Sequence, residues 1–218
     1  MGINRAELPD NWGQSIGGAV RQFLLPDEEV LSDAFGGENL PARVGMAASI
    51  TSPIALYRAS LAVASEKDVR QFDQSGWIAV VVVEPGQEVP FGIVELAGNS
   101  EEIGSVRRAM WDTYAARRIA DALNLGIESS LERGGDYKVA LVDVPAIPFK
   151  AVWLIRLNGD QHDEFFVTFA RPNEGGCPDN IKIQESEEFR VTLNKLARER
   201  EVEESEVVER EKLNESRI

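Results

Sequence analysis

Two apolar runs joined by a short polar link stand out in the pattern of the chain. Ile78 to Val83 is continuously apolar and rich in β-branched residues, which is typical of a strand covered on both faces. Glu84 to Gln87 contains the Pro and Gly of a turn, and Val89 to Leu96 alternates as a second strand. The pattern predicts a β-hairpin over residues 76–96, and we expect the fold to be centred on it.

Helical spacing follows a capping residue in three other places. The first predicted helix starts near Trp12. The second starts at Asn99, with Glu102 placed as in a capping box, and ends by Gly126; its apolar face includes Trp111. The third predicted helix starts at Ser186 and has on one face Phe189, Leu193, Leu196 and Ala197.

Further strands are predicted on both sides of the second helix. Tyr137 to Val144, Phe149 to Leu157 and Glu164 to Ala170 are apolar or alternating runs, and Asn158-Gly159-Asp160 marks a hairpin between the last two. Ala55 to Ala64 fits either element, because its Ala content favours helix and its alternation favours a strand. We favour the strand.

The resulting order is helix, three strands, helix, three strands, helix. It predicts a single α+β domain over residues 1–197, with a mainly antiparallel sheet and the helices on one face. Residues 40–126 and 127–197 have similar outlines, which leaves an internal duplication open. Residues 198–218 are charged with few apolar positions, so we expect a solvated tail that is a fraying helix or disordered.

Composition narrows the classes of function. The formal net charge of −14 disfavours direct binding to nucleic acid or to anionic membranes. Cys177 and His162 are the only residues of their types, which excludes a disulfide within the chain and a Cys/His metal site. They could form a nucleophile and base, but both fall in predicted loops. We see no secretory signal and no apolar run near the ~20 residues of a membrane span, and we expect a cytoplasmic protein.

Glu95 is the strongest candidate for a functional residue, because it stands inside an apolar strand and a buried carboxylate needs a partner. The run from Pro90 to Gly98 is distantly similar to the core of restriction-endonuclease-like nucleases, in which a strand acid precedes a Glu-x-Lys motif and the acids bind Mg²⁺. That resemblance implies a catalytic Glu95 and a metal bound by Glu95 and Asp73. The position of the motif's Lys is Ala97, however, and the preceding strand has acids only outside its centre.

A structural role is the alternative for Glu95, at a strand edge where it pairs with an arginine of the next helix, Arg107 or Arg108. The element order and the acidity also resemble small secretion chaperones, which dimerise and bind an extended segment of a partner. We therefore expect a non-enzymatic, cofactor-free, chaperone- or adaptor-like module that self-associates and binds a basic or extended protein partner. The alternatives are a degenerate Mg²⁺-dependent nuclease core around Glu95 and an acidic inhibitor that imitates nucleic acid.

Overall fold

The structure is a computed structural model that describes residues 48–83, 89–110, 112–147, 149–158, 163–170 and 181–215. The predicted helix near Trp12 lies outside the described residues, as do Trp111, His162 and Cys177.

The described residues form nine strands, three α-helices and a short 3₁₀-helix, Val69–Gln71. The strands are β1 (Ala48–Ile50), β2 (Ile54–Arg58), β3 (Asp73–Val83), β4 (Val89–Gly98), β5 (Ile103–Met110), β6 (Tyr137–Asp143), β7 (Phe149–Arg156), β8 (Phe165–Ala170) and β9 (Lys182–Glu185). The helices are α1 (Leu61–Glu66), α2 (Thr113–Arg133) and α3 (Ser186–Glu215).

All the described strands belong to one mixed, mostly antiparallel sheet, so the predicted α+β class is confirmed. Eight of them run in the order β5-β4-β3-β2-β6-β7-β8-β9, and β1 pairs with the last residues of β3. Within the described part of the chain, the one parallel pairing joins β2 to β6 and sets Arg58 opposite Asp143. Two antiparallel meanders, β2 to β5 and β6 to β9, spread outwards from this pair. The proposed duplication stays a prediction.

The helices cover both faces of the sheet, and the expectation that they lie on one face is wrong. α1 and α3 pack over a cluster that includes Trp77 and Trp153, whereas α2 packs over a second cluster that includes Ile78 and Val152. Neighbouring residues of a strand point to opposite faces, and in β3 and β7 both sets are apolar and buried. Each face therefore needs its own helical cover.

A column of stacked aromatic rings packs α3 against the sheet. Phe189 of α3 stacks on Phe166 of β8 with ring centroids 3.9 Å apart, and Phe166 stacks on Trp153 of β7 at 5.7 Å. Tyr57 of β2 meets Trp153 edge-on at 5.6 Å. The predicted apolar face of α3 is confirmed, because Phe189, Leu193 and Ala197 are buried.

The helix α2 crosses the other face of the sheet and contacts both meanders. It packs on β3 and β4 of the first meander and on β7 and β8 of the second. Gly126 permits the close approach, because a Cβ there would lie 2.9 Å from Cδ2 of Leu154. At its C-terminal end, Arg133 donates hydrogen bonds of 2.6 and 3.1 Å to Glu185 of β9 and lies over the ring of Phe165.

The helix predicted from Asn99 is wrong in its first part, which is strand β5. Two β-bulges in its pairing with β4 stretch the repeat from two residues to three, so that Ile103, Val106 and Ala109 all face one cluster. That spacing imitates the i, i+3 pattern of a helix. Asn99 does act as a cap, but its Oδ1 accepts from the N–H groups of residues 101 and 102 in the β4–β5 turn. The helix begins only at Thr113.

Other differences are local. The stretch 55–64 contains both elements that were weighed, strand β2 as far as Arg58 and helix α1 from Leu61. Strand β9 was not predicted, since it has only four residues. The central hairpin of β3 and β4 is confirmed, with Trp77 paired to Leu96. Among the described residues, the element order is therefore strands, helix, strands, helix, strands, helix.

The aromatic column generates a stability prediction. Replacing the fully buried Phe166 by Ala should lower the free energy of unfolding by about 3–5 kcal/mol, because it removes the ring between two stacked neighbours. Urea denaturation measures the change. Val191→Ala on the exposed side of α3 is the control and should stay within about 0.5 kcal/mol of wild type. A loss below about 1 kcal/mol for Phe166→Ala would contradict the stacked core.

Candidate functional site

The parallel pair β2 and β6 creates an opening at its carboxyl ends. After β2 the chain passes through α1 to β3, and after β6 it turns directly into β7. The strands β3 and β7 lie on opposite sides of the pair. The segment that follows β2 and the segment that follows β6 therefore diverge as they leave the pair. Divergence of this kind leaves a crevice beyond the carboxyl ends of parallel strands, which is where open sheets commonly bind ligands.

An open groove of 610 Å³ occupies this position, and we call it the crevice. One wall is the exit from β2, the second is the turn after β6, and the third is the side of α3. Its lining residues are Arg58, Ala59, Ser60, Leu61, Ala62, Pro145, Ala146, Glu201 and Glu204.

Hydrogen bonds fix each wall. The Ser60 hydroxyl accepts from the N–H of Val63 at 3.4 Å and caps α1, and the N–H of Ile147 donates to the carbonyl of Val144 at 2.9 Å to close the β6–β7 turn. On α3, Arg198 donates from Nε to the carbonyl of Ser65 at 3.2 Å, which ties α3 to α1. The walls are therefore held in place by the fold.

Beside the crevice, the Arg58 guanidinium joins two buried carboxylates from different strands. Its Nη2 donates to Oε1 of Glu95 at 2.9 Å, and its Nε donates to Oδ2 of Asp143 at 3.1 Å. Burial by itself would lower the pKa of Arg58, but hydrogen bonding and attraction from Glu95, together with Asp143, hold that pKa above its ordinary value. Lys150 adds a further positive charge 3.6 Å from Asp143.

The charge balance makes the crevice attractive to cations. The positive charge of Arg58 is already matched by Glu95 and Asp143, which are 5% and 2% exposed. The other charged residues of the lining are the acids Glu201 and Glu204. The accessible rim is therefore acidic.

The structure places Glu95 in a different ion pair from the one expected. Its partner is Arg58 of β2, two strands away, whereas Arg107 donates to the backbone carbonyl of Ser75 at 2.7 Å. The expected pairing with Arg107 or Arg108 is wrong because that stretch is strand β5, in which Arg108 is the backbone neighbour of Glu95 but not its partner. Glu95 is moreover internal to the sheet and not at an edge.

The two metal-binding candidates differ in their exposure to solvent. Asp73 is exposed at the start of β3, opposite Arg58 in the ladder, and Glu95 is buried behind the Arg58 guanidinium. Within the described ranges, no group of three or more His, Cys, Asp or Glu residues could hold a metal ion. His162 and Cys177 lie outside those ranges, so the proposed nucleophile and base stay untested.

Sequence reasoning missed Arg58, Asp143, Glu201 and Glu204. The sequence did contain an indication for Arg58 and Asp143. Like Glu95, each is a charged residue within a mainly apolar run that forms a buried strand. Charged residues in such runs require partners of opposite charge. The two glutamates of α3 carry no such signal, since they stand in a uniformly charged stretch.

A third buried acid also forms an ion pair and hydrogen bonds. Glu164, just before β8, accepts from Nε of Arg70 at 3.0 Å and from Nε1 of Trp153 at 3.3 Å. These contacts join the 3₁₀-helix to the second meander. Glu164 is a structural tie between them.

No family model, curated protein or solved structure matches this chain. No helix in the described part of the chain is long and apolar enough to cross a membrane. The self-association expected from the sequence stays a prediction.

The ion-pair cluster generates the second prediction. Arg58→Met should destabilise the fold by about 3–5 kcal/mol, because the buried Glu95 loses its ion-pair partner and the buried Asp143 loses one of its own. Glu95→Gln alone should cost less, about 1–3 kcal/mol. Thermal and urea unfolding of the single and double variants form a double-mutant cycle. Strictly additive losses would show that Arg58 and Glu95 do not interact, contrary to the structure.

Proposed function

We propose that this protein is a non-enzymatic protein-binding module that holds an extended, basic segment of a partner protein in the crevice. The observation that carries the proposal is the open, acidic-rimmed groove beyond the carboxyl ends of β2 and β6. Such an opening between diverging chains is where a sheet of this kind can bind a ligand without losing its own hydrogen bonds.

The shape of the crevice favours a polypeptide over a small molecule. Small-molecule sites enclose most of the ligand and fix it with a few convergent polar groups. Here Ser60, Ala62 and Pro145 of the lining are exposed, and the other uncharged lining residues are Ala59, Leu61 and Ala146. An extended chain in this open groove would contact all three walls.

The charge of the protein favours a basic partner. Glu201 and Glu204 set the sign of the rim, and the net charge of −14 creates a long-range field that draws cations toward the surface. Acidic segments and nucleic acid would be repelled by the two glutamates and by the net negative charge of the protein.

The state of the buried acids supports the absence of catalysis. Within the described residues the buried carboxylates are Glu95, Asp143 and Glu164, and each forms an ion pair with an arginine. A general acid or base needs a carboxyl group within reach of a substrate proton. These three are committed to structural pairs, which also weakens the case for a nuclease core around Glu95.

Charge reversal on the rim tests the proposal. The double variant Glu201→Lys/Glu204→Lys should bind a short fluorescent lysine-rich peptide about tenfold more weakly than wild type, a loss of about 1.4 kcal/mol. Fluorescence anisotropy measures the affinity at low salt, where such pairs are least screened.

A matched control separates local from overall charge. Glu199→Lys/Glu203→Lys changes the net charge by the same amount on the same helix, but neither residue lines the crevice. It should retain most of the wild-type affinity. Equal losses in the two variants would show that only net charge matters and would remove the crevice from the account.

Truncation separates binding from stability. Deleting residues 201–218 should leave the melting temperature nearly unchanged, because residues 202–208 are exposed and bury little. The same deletion should weaken binding of the lysine-rich peptide about tenfold, as the charge reversal does, because it removes both acids of the rim. A large fall in the melting temperature would show instead that the end of α3 is part of the core.

A further inference from the structure

We infer that the crevice recognises a segment in which two basic residues flank one large apolar residue. This inference rests on the proposed function and specifies the sequence that the groove would accept. It follows from the spacing of the two acids on α3 and from the uncharged residues on the other walls of the crevice.

The spacing of the acids matches that of alternate residues in an extended chain. Glu201 and Glu204 are three positions apart on a helix, so their side chains are neighbours about 5–6 Å apart at Cβ. In an extended segment, residues two positions apart lie on the same side and are separated by about 6.5–7 Å. Two basic residues at such positions can each reach one glutamate.

The residue between the two cations must then point away from α3. The other walls of the crevice include Leu61 and Ala62 of α1 and Pro145 and Ala146 of the β6–β7 turn, which carry no charge. The alanine side chains are short, which leaves room in the 610 Å³ groove for a larger apolar side chain. A Leu, Ile or Met there would remove apolar surface from water on both partners.

The two basic residues must be separated by one residue, because adjacent residues of an extended chain point to opposite sides. Two neighbouring lysines could not both face α3. A segment with two consecutive lysines would direct one cation to the α3 acids and the other to Pro145 and Ala146. The second cation would lose water without gaining a counter-charge. The order of residues, and not the composition alone, should decide the affinity.

Two peptides of identical composition test the inference on the full chain. One has the core Lys-Leu-Lys and the other the core Lys-Lys-Leu, each between the same Gly-Ser flanks and with the same fluorophore. The first should bind about fivefold or more tightly than the second, as expected for one additional ion pair and one additional buried side chain. Anisotropy titrations at a fixed low salt concentration give both dissociation constants.

Conservative substitutions of the two rim acids test whether α3 causes the preference for the Lys-Leu-Lys peptide. Glu201→Gln/Glu204→Gln should remove the difference between the two peptides, whereas Glu199→Gln/Glu203→Gln should keep it. If both peptides bind wild type equally and the rim variant weakens both, the order rule is wrong and the basic-segment proposal survives. If neither peptide binds, or if the rim variant changes neither affinity, the proposed function fails together with this inference.

Discussion

The parallel pairing of β2 with β6 is the constraint on which the remaining structure depends. It is the one described ladder that joins the two meanders, and Arg58 reinforces it by bonding Glu95 of the first meander and Asp143 of the second. A charge cluster of this kind is costly to bury and costly to break, so it favours one register over its neighbours. The helix α2 and the aromatic column then cover the joined sheet on its two faces.

The crevice is a consequence of the same pairing. Parallel neighbours cannot be joined by a tight turn, so each chain must leave the end of its strand and travel elsewhere. Here the segment after β2 enters α1 and the segment after β6 turns into β7. The helix α3 lines the opening between these two segments. Arg58 is paired with buried acids, so Glu201 and Glu204 are the remaining charged residues of the lining. In the proposed function, these two acids attract the basic segment.

Sequence patterns predicted the elements whose partners are close along the chain. The hairpin of β3 and β4 and the helix that begins at Ser186 follow from local periodicity and capping. Strand β5 was mistaken for a helix because its bulges give it a repeat of three. The pairing of Arg58 with Asp143 depends on a parallel contact between residues 85 positions apart, and its pairing with Glu95 spans 37 positions and two strand ladders. No local pattern encodes either contact. The candidate site was missed for the same reason.

The most direct test of the account is to observe which methyl groups sense a bound basic segment. In the protein labelled with ¹³C at alanine methyls, titration with the lysine-rich peptide should shift the signals of Ala59, Ala62 and Ala146. The signals of Ala116 and Ala122, which lie on the buried side of α2 on the other face of the sheet, should stay in place. Saturable shifts at the three crevice alanines are the predicted result. Shifts confined to other alanines, or none at saturating peptide, would contradict the account.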